Sequence, residues 1–205
     1  MGLIKKYMNQ TRKPEGILGK MMLKGMNMGH AKLSDFGISK LPNNDYKQVL
    51  EIGCGAGRNI DALLKKYKNA FVTGVDYSPL SVEKAIEFNK NNSNRCKVIQ
   101  GDVSNLNLEA NTYDLATAFE TVYFWPNLDK CFKNVFNVLK EDGTFMIVNE
   151  LEGTCELSLK YEQIIEGLKV YKIEELYELL KAAGFKKIDV FKHNSKAWFS
   201  IIAIK

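Results

Sequence analysis

The chain has 205 residues, 45% of them apolar and 26% charged, with a formal net charge of +5 at pH 7. That length holds one large or two small domains, and the balance is ordinary for a soluble globular protein. No apolar run approaches the roughly 18 residues of a membrane helix, and the Lys are dispersed among Asn instead of gathered in the stripe typical of nucleic-acid proteins.

The first residues, MGLIKKYMNQTRKPEG, are basic and lack the apolar centre of a signal peptide. Lys6 stands where a myristoylation pattern needs Ser or Thr, so a cytoplasmic location is expected. Met21, Met22, Met26 and Met28 then cluster ahead of His30. They read either as a helix core or as a pliable lid over an apolar ligand, since Met adapts its shape. His30 is correspondingly either structural or catalytic.

From about residue 45, strand-like and helix-like stretches alternate. A run at 48–53 drops into Gly53, Gly55 and Gly57, with Cys54 inside the turn, and a helix is expected at 57–67. A second strand at 70–75 ends at Asp76, followed by Tyr77. Ser78-Pro79 is a helix entry, with Ser as cap and Pro at the first position, opening a helix over 79–91. A strand at 96–100 leads to Gly101-Asp102-Val103, and a fourth at 113–119 leads to Phe119, Glu120 and the aromatic run Tyr123-Phe124-Trp125. A helix at 127–140 precedes Glu141-Asp142-Gly143, which reads as the turn before a strand at 143–149. The helix 173–183 stops at Gly184, and strands at 185–192 and 197–204 are joined only by 193–196, with His193 expected exposed in that turn. So short a link forces antiparallel pairing. The fold expected is α/β, doubly wound, a mostly parallel seven-stranded sheet ending in an antiparallel hairpin.

Glycines let a backbone turn tightly against a ligand, and an acidic residue ending the next strand can accept from both hydroxyls of a ribose. A nucleoside-containing cofactor follows. The turn reads G-x-G-x-G with Arg58 in the place of a third fingerprint glycine, which weakens a dinucleotide reading, and no P-loop pattern occurs. Asp102 can accept from an exocyclic amine while the Val103 N–H donates to a ring nitrogen, reading an adenine edge. Asp76 and Asp102 also read as helix caps, and Tyr77 as plain packing. The cysteines Cys54, Cys96, Cys131 and Cys155 are scattered without a C-x-x-C pair, so all are expected as reduced thiols and no metal centre is expected.

VLEIGCGAGRN, GVDYS, GDVSNL and YDLATAFETVYFWPN, in this order, resemble the successive motifs of the class I S-adenosylmethionine (SAM)-dependent methyltransferases, small bacterial and archaeal type (type 11-like). LKEDGTFMIVNE and AAGFKKIDV…KAWFSIIAIK are similar to the later strands of that family, so the resemblance covers at least 47–205. The stretch PEGILGKMMLKGMNMGHAKLSDFGISKL resembles a cap segment of some members. The resemblance implies a domain at 46–205, a cap or lid at 1–45 and a substrate-side insertion at about 150–172. It implies that Glu51 and the backbone of Gly53, Cys54 and Gly55 face the methionine part of SAM and that Gly57 relieves crowding. Asp76 would then hold the ribose, Tyr77 pack on adenine, Asp102 and Val103 read its edge, and Phe119 and Glu120 lie by the sulfonium.

SAM carries its own activation, so the protein supplies mainly proximity and exclusion of water. Where the acceptor must lose a proton, His30, Glu120 and Tyr123 are the base candidates. The expected reaction is methyl transfer to a small-molecule acceptor, leaving S-adenosyl-L-homocysteine (SAH), by a monomer or homodimer. A methyltransferase of RNA, DNA or protein, a non-catalytic SAM-binding protein, and an NAD-dependent oxidoreductase remain the alternatives. The amino-methylase pattern [DNS]-P-P-[YFW] and a Pro-Cys nucleophile are both missing, which counts against the nucleic-acid reading.

Overall fold

The computed structural model describes residues 2–154 and 156–205, so the thiol expected at Cys155 lies outside the described residues. The strands are β1 (Gln48–Ile52), β2 (Phe71–Asp76), β3 (Cys96–Gln100), β4 (Tyr113–Phe119), β5 (Leu139–Asn149), β6 (Lys187–Lys192) and β7 (Phe199–Ile204). They form one sheet in the order β3-β2-β1-β4-β5-β7-β6. The first five run parallel, and β7 pairs antiparallel with both β5 and β6. The sequence expectation of a parallel sheet closed by a hairpin therefore holds.

The helices are α1 (Leu3–Met8), α2 (Gly16–Gly29), α3 (Ala31–Lys40), α4 (Arg58–Lys66), α5 (Pro79–Phe88), α6 (Leu128–Val138), α7 (Glu156–Ile164) and α8 (Ile173–Ala183). Strand alternation divides the core between two helical layers. Leu50, Ile52, Ala116, Ala118, Phe145 and Ile147 point to the α6–α8 face. Val49, Leu115, Phe119, Met146 and Val148 point to the opposite face, against α3 and α4. In α4 the buried set Ile60, Leu63 and Leu64 is one apolar stripe at helical spacing. Under α6, Phe145 stacks on Trp125 with centroids 6.3 Å apart and meets Phe132 edge-on at 5.8 Å.

β5 starts earlier than expected. Instead of a turn at 141–143, the strand runs unbroken from Leu139, with a register shift opposite Tyr113 and Leu115 and Asp142 at φ +59°. Leu139 is fully buried and pairs with Tyr113, so the backbone stays in the ladder and the intervening residues bulge. His193 also departs from expectation. It is half-buried, edge-on to Phe36 of α3 at 5.3 Å and to Trp198 at 5.2 Å.

No helix among the described residues is long and apolar enough to cross a membrane. The N-terminal helices are tied to the sheet and to the 150–172 stretch. Ser78 Oγ donates to the Pro14 carbonyl at 3.1 Å, and the Glu166 N–H donates to Asn9 Oδ1 at 2.8 Å. These contacts close a roof over the carboxyl ends of β1, β2 and β4, where ligands bind in open α/β sheets.

Candidate functional site

The chain leaves β1 pinned to β2, because the Val75 carbonyl accepts from the N–H of both Gly53 (2.7 Å) and Cys54 (3.1 Å). Gly53, Gly55 and Gly57 all have positive φ, at +75°, +52° and +85°. Asp76 knits this loop to the next. Its Oδ2 accepts from Gly55 N–H and its Oδ1 from Ser78 N–H, both at 2.9 Å. Burial pushes the Asp76 carboxyl above its ordinary range, against the pull of those N–H groups. Ser78 caps α5 through a 3.3 Å bond from Ser81 N–H, as its place before Pro79 predicts, so the alternative reading of Asp76 as that cap does not hold. Asp102 does act as a cap, accepting from Ser104 N–H at 2.8 Å.

A cavity of about 510 Å³ opens above this loop. Gly53, Cys54, Gly55, Asp76, Tyr77, Asp102, Val103 and Phe119 line one end. His30, Glu120 and Tyr123 line the other, with Met22, Met26, Phe124 and Trp125. The Met cluster thus splits, since Met21 and Met28 are exposed on the far side of α2. Tyr77 is part-exposed, with the Lys13 ammonium 5.9 Å from its ring centroid.

Among the candidate residues, Glu51 and Gly57 are not in the wall. Gly57 lies against α5, where Asn89 Nδ2 donates to its carbonyl at 2.9 Å. Glu51 shares its strand face with Val49 and sits fully buried beneath the loop, where it accepts from the Thr117 hydroxyl. Its Oε1 has no partner, and burial raises its carboxyl to about 8. A carboxyl whose folded pKa exceeds its unfolded value of 4.5 binds the extra proton in the fold, so stability falls as pH rises from 4.5 towards 8. Glu51→Gln keeps an acceptor for Thr117 and lacks that slope. Its melting temperature should gain on wild type by several degrees between about pH 5 and about pH 8.5. An offset that stays constant across this range would refute a buried, protonated Glu51.

At the second end, Glu120 follows β4 at φ +58°. Its Oε1 accepts from the Tyr123 hydroxyl at 3.1 Å and from Glu150 N–H at 2.5 Å. Burial, and then the charge of Glu150, raise its carboxyl to about 8. Burial pushes the Tyr123 phenol well above its usual range, and that hydroxyl also accepts from Leu151 N–H at 2.8 Å. Tyr123 therefore remains a phenol at neutral pH and orients Glu120. Burial lowers His30, with Glu150 pulling the other way, so its imidazole is neutral near pH 7.

Sequence reasoning missed Glu150, although an acidic residue ending a strand was the signal that singled out Asp76. It also missed Arg58 as part of the wall, where the guanidinium meets Asp35 of α3 at 2.8 Å.

A family model described as "Methyltransferase domain" matches residues 43–184. The chain is 30% identical over 192 residues to the malonyl-[acyl-carrier protein] O-methyltransferase of Priestia megaterium, covering 82% of this chain and 69% of that one. It is 26% identical over 152 residues to 2-methyl-6-phytyl-1,4-hydroquinone methyltransferase 1 of Oryza sativa subsp. japonica, covering 74% of this chain. The chain spans only 44% of that plant relative's length. In structure it is similar to a complex of the Haloferax volcanii Trm112 methyltransferase activator with a methyltransferase, at TM-score 0.80 and 16% identity, covering 89% and 92% of the two chains. That likeness speaks for the fold alone. Taken with the glycine loop, the acidic end of β2 and the sheet order, the match over 43–184 shows that this chain belongs to the class I SAM-dependent methyltransferase family.

Proposed function

We propose that this protein transfers the methyl group of SAM to a small-molecule acceptor. The observation that carries the reading is one cavity with the nucleoside-type residues at one end and a polar, aromatic-walled chamber at the other. Its volume, about 510 Å³, lies within the range of small-ligand sites. One feature of the wall fits SAM: the missing Cβ of Gly55 would meet no atom within 4 Å, which leaves the turn's backbone open to a ligand.

In this reading Asp76 holds the ribose, Asp102 and the Val103 N–H read the adenine edge, Tyr77 packs on the ring, and Gly53 to Gly55 carry the methionine part. When bound, SAM supplies an activated methyl on a sulfonium. Phe119 keeps water from that end, and His30, Glu120 and Tyr123 line the chamber where the acceptor lies. Residues 46–205 form the transfer domain, with 1–45 as a cap and about 150–172 as the acceptor-side insertion. The hydrogen bond between Asn9 and Glu166 supports a joint roof of those two segments. Relatives named for a hydroquinone and for malonyl-carrier protein support a small or carrier-borne acceptor.

Calorimetric titration with SAH should give a dissociation constant on the order of micromolar. Conversion of SAM to SAH should then appear for some member of a panel of phenols, thiols, amines and carboxylates. Absence of SAH binding to the full chain overturns the reading. Tight binding with a silent panel would favour a SAM-binding protein without catalysis.

A further inference from the structure

Three side chains far apart in the chain meet at the acceptor end of the cavity. His30 lies at the junction of α2 and α3, Glu120 follows β4 and Glu150 follows β5. One ligand atom from each lies within 4.8 Å of the other two. All three are half-buried in the cavity wall.

The donors are free to bind. Both hydrogen bonds that Glu120 accepts use Oε1, which leaves Oε2 over. Among the described residues, no hydrogen bond engages the His30 imidazole, and neither Glu120 nor Glu150 is in an ion pair with Lys or Arg. Glu120 is also held in the left-handed region, a conformation that a residue with a Cβ adopts only where its surroundings impose it. Two carboxyl groups thus converge in a poorly solvated chamber, neither of them in an ion pair with a Lys or Arg among the described residues.

We propose that His30, Glu120 and Glu150 bind one divalent first-row metal ion, which holds an oxygen-bearing acceptor beside the methyl donor. The proposal rests on the methyltransferase reading of the cavity. One imidazole with carboxylates suits Mn²⁺, Fe²⁺, Co²⁺ or Zn²⁺. Three protein ligands with the remaining positions open to a cavity is the arrangement of catalytic metal sites. Metal–ligand bonds of about 2.0–2.2 Å bring ligand atoms to roughly 3 Å apart, a separation that side-chain rotation reaches from the present one. Tyr123 then acts as a positioning residue, fixing the angle of Glu120.

Such an ion selects an acceptor hydroxyl or carboxylate and lowers the pKa of a hydroxyl bound to it. The O–H proton leaves to water, and an oxygen pair forms the new bond to the methyl carbon. The S–CH₃ bond breaks with its pair kept by sulfur, leaving a neutral thioether.

The test is titration of Mn²⁺, and separately Zn²⁺, into the full chain with and without saturating SAH, read by heat and by the Mn²⁺ resonance signal. One ion per chain should bind with a micromolar-order constant, and His30→Ala and Glu150→Gln should each weaken it by at least about tenfold. SAH affinity should stay at the wild-type value in both variants, and any shift in their melting temperature should be the same with and without added metal. Binding no tighter than about millimolar, or retained in both variants, overturns the metal site. If Glu150→Gln fails to fold, His30→Ala decides, since its imidazole has no hydrogen bond to lose. Metal failing while SAH binds defeats this inference alone, whereas SAH failing defeats the methyltransferase reading.

Discussion

Asp76→Ala will weaken SAH binding by at least about tenfold while the chain stays folded. In the proposed binding mode the buried Asp76 carboxylate accepts from both ribose hydroxyls, in charge-assisted bonds worth roughly 1.5–3 kcal/mol each. Losing them converts to one to several powers of ten at about 1.4 kcal/mol per tenfold. The side chain also holds Gly55 N–H and Ser78 N–H at 2.9 Å, so its removal loosens the loop that the ligand must meet. Asp76→Asn is not a gentle control. One of its two terminal atoms becomes an NH₂ facing a backbone N–H, so it should bind SAH nearly as poorly as the Ala variant. The fold tolerates the loss because Ser78, not Asp76, caps α5, and because water in the cavity can replace the missing acceptor. Calorimetry and thermal melting on the same samples separate the roles. A variant with wild-type SAH affinity and a lowered melting temperature would make Asp76 a structural residue only.

Asp76 was legible in the sequence because its partners are local in topology. β1, the glycine turn, α4 and β2 form one right-handed unit, and a residue ending β2 must arrive beside the turn that follows β1. The terminal hairpin was legible for a similar reason, since a link over 193–196 leaves no room for a crossover. The acceptor end was not. Residues 30, 120 and 150 come together only after the sheet order brings β4 beside β5 and α3 packs against β5. Motif spacing carries no trace of that meeting. The place of Glu51 could have been read from strand parity, because it alternates with Leu50 and Ile52 and so shares the helix-covered face with Val49. The bulge in β5 escaped because Glu-Asp-Gly is turn chemistry, and only the burial of Leu139 against β4 keeps that stretch in the ladder.

The glycines of the turn should separate binding from folding. Gly57→Ala should cost roughly 2–4 kcal/mol, a fall in melting temperature on the order of 5–15 °C. Its φ is +85°, and a Cβ there would stand 2.9 Å from Ala85 Cα and 2.5 Å from Asn89 Nδ2. Ala85 belongs to the backbone of α5, which cannot step back without parting from β2 and β3. Gly55→Ala carries the same left-handed backbone, at φ +52°, but its Cβ would meet nothing within 4 Å. The stability cost is then only the roughly 1–2 kcal/mol of an L-residue in that conformation. Its new methyl group stands in the wall of the cavity, where the proposed SAM would lie against the backbone. SAH affinity should therefore fall by about ten- to hundredfold in Gly55→Ala, out of proportion to its melting temperature. Gly53→Ala lies between these. Its Cβ would press on the Thr121 side chain, whose Oγ1 accepts from the Trp125 indole at 2.8 Å, so the strain passes into the far wall. That variant should lose both stability and affinity. If Gly55→Ala bound SAH as wild type does, no ligand could be in contact with the turn, and the glycine loop would be a packing device alone.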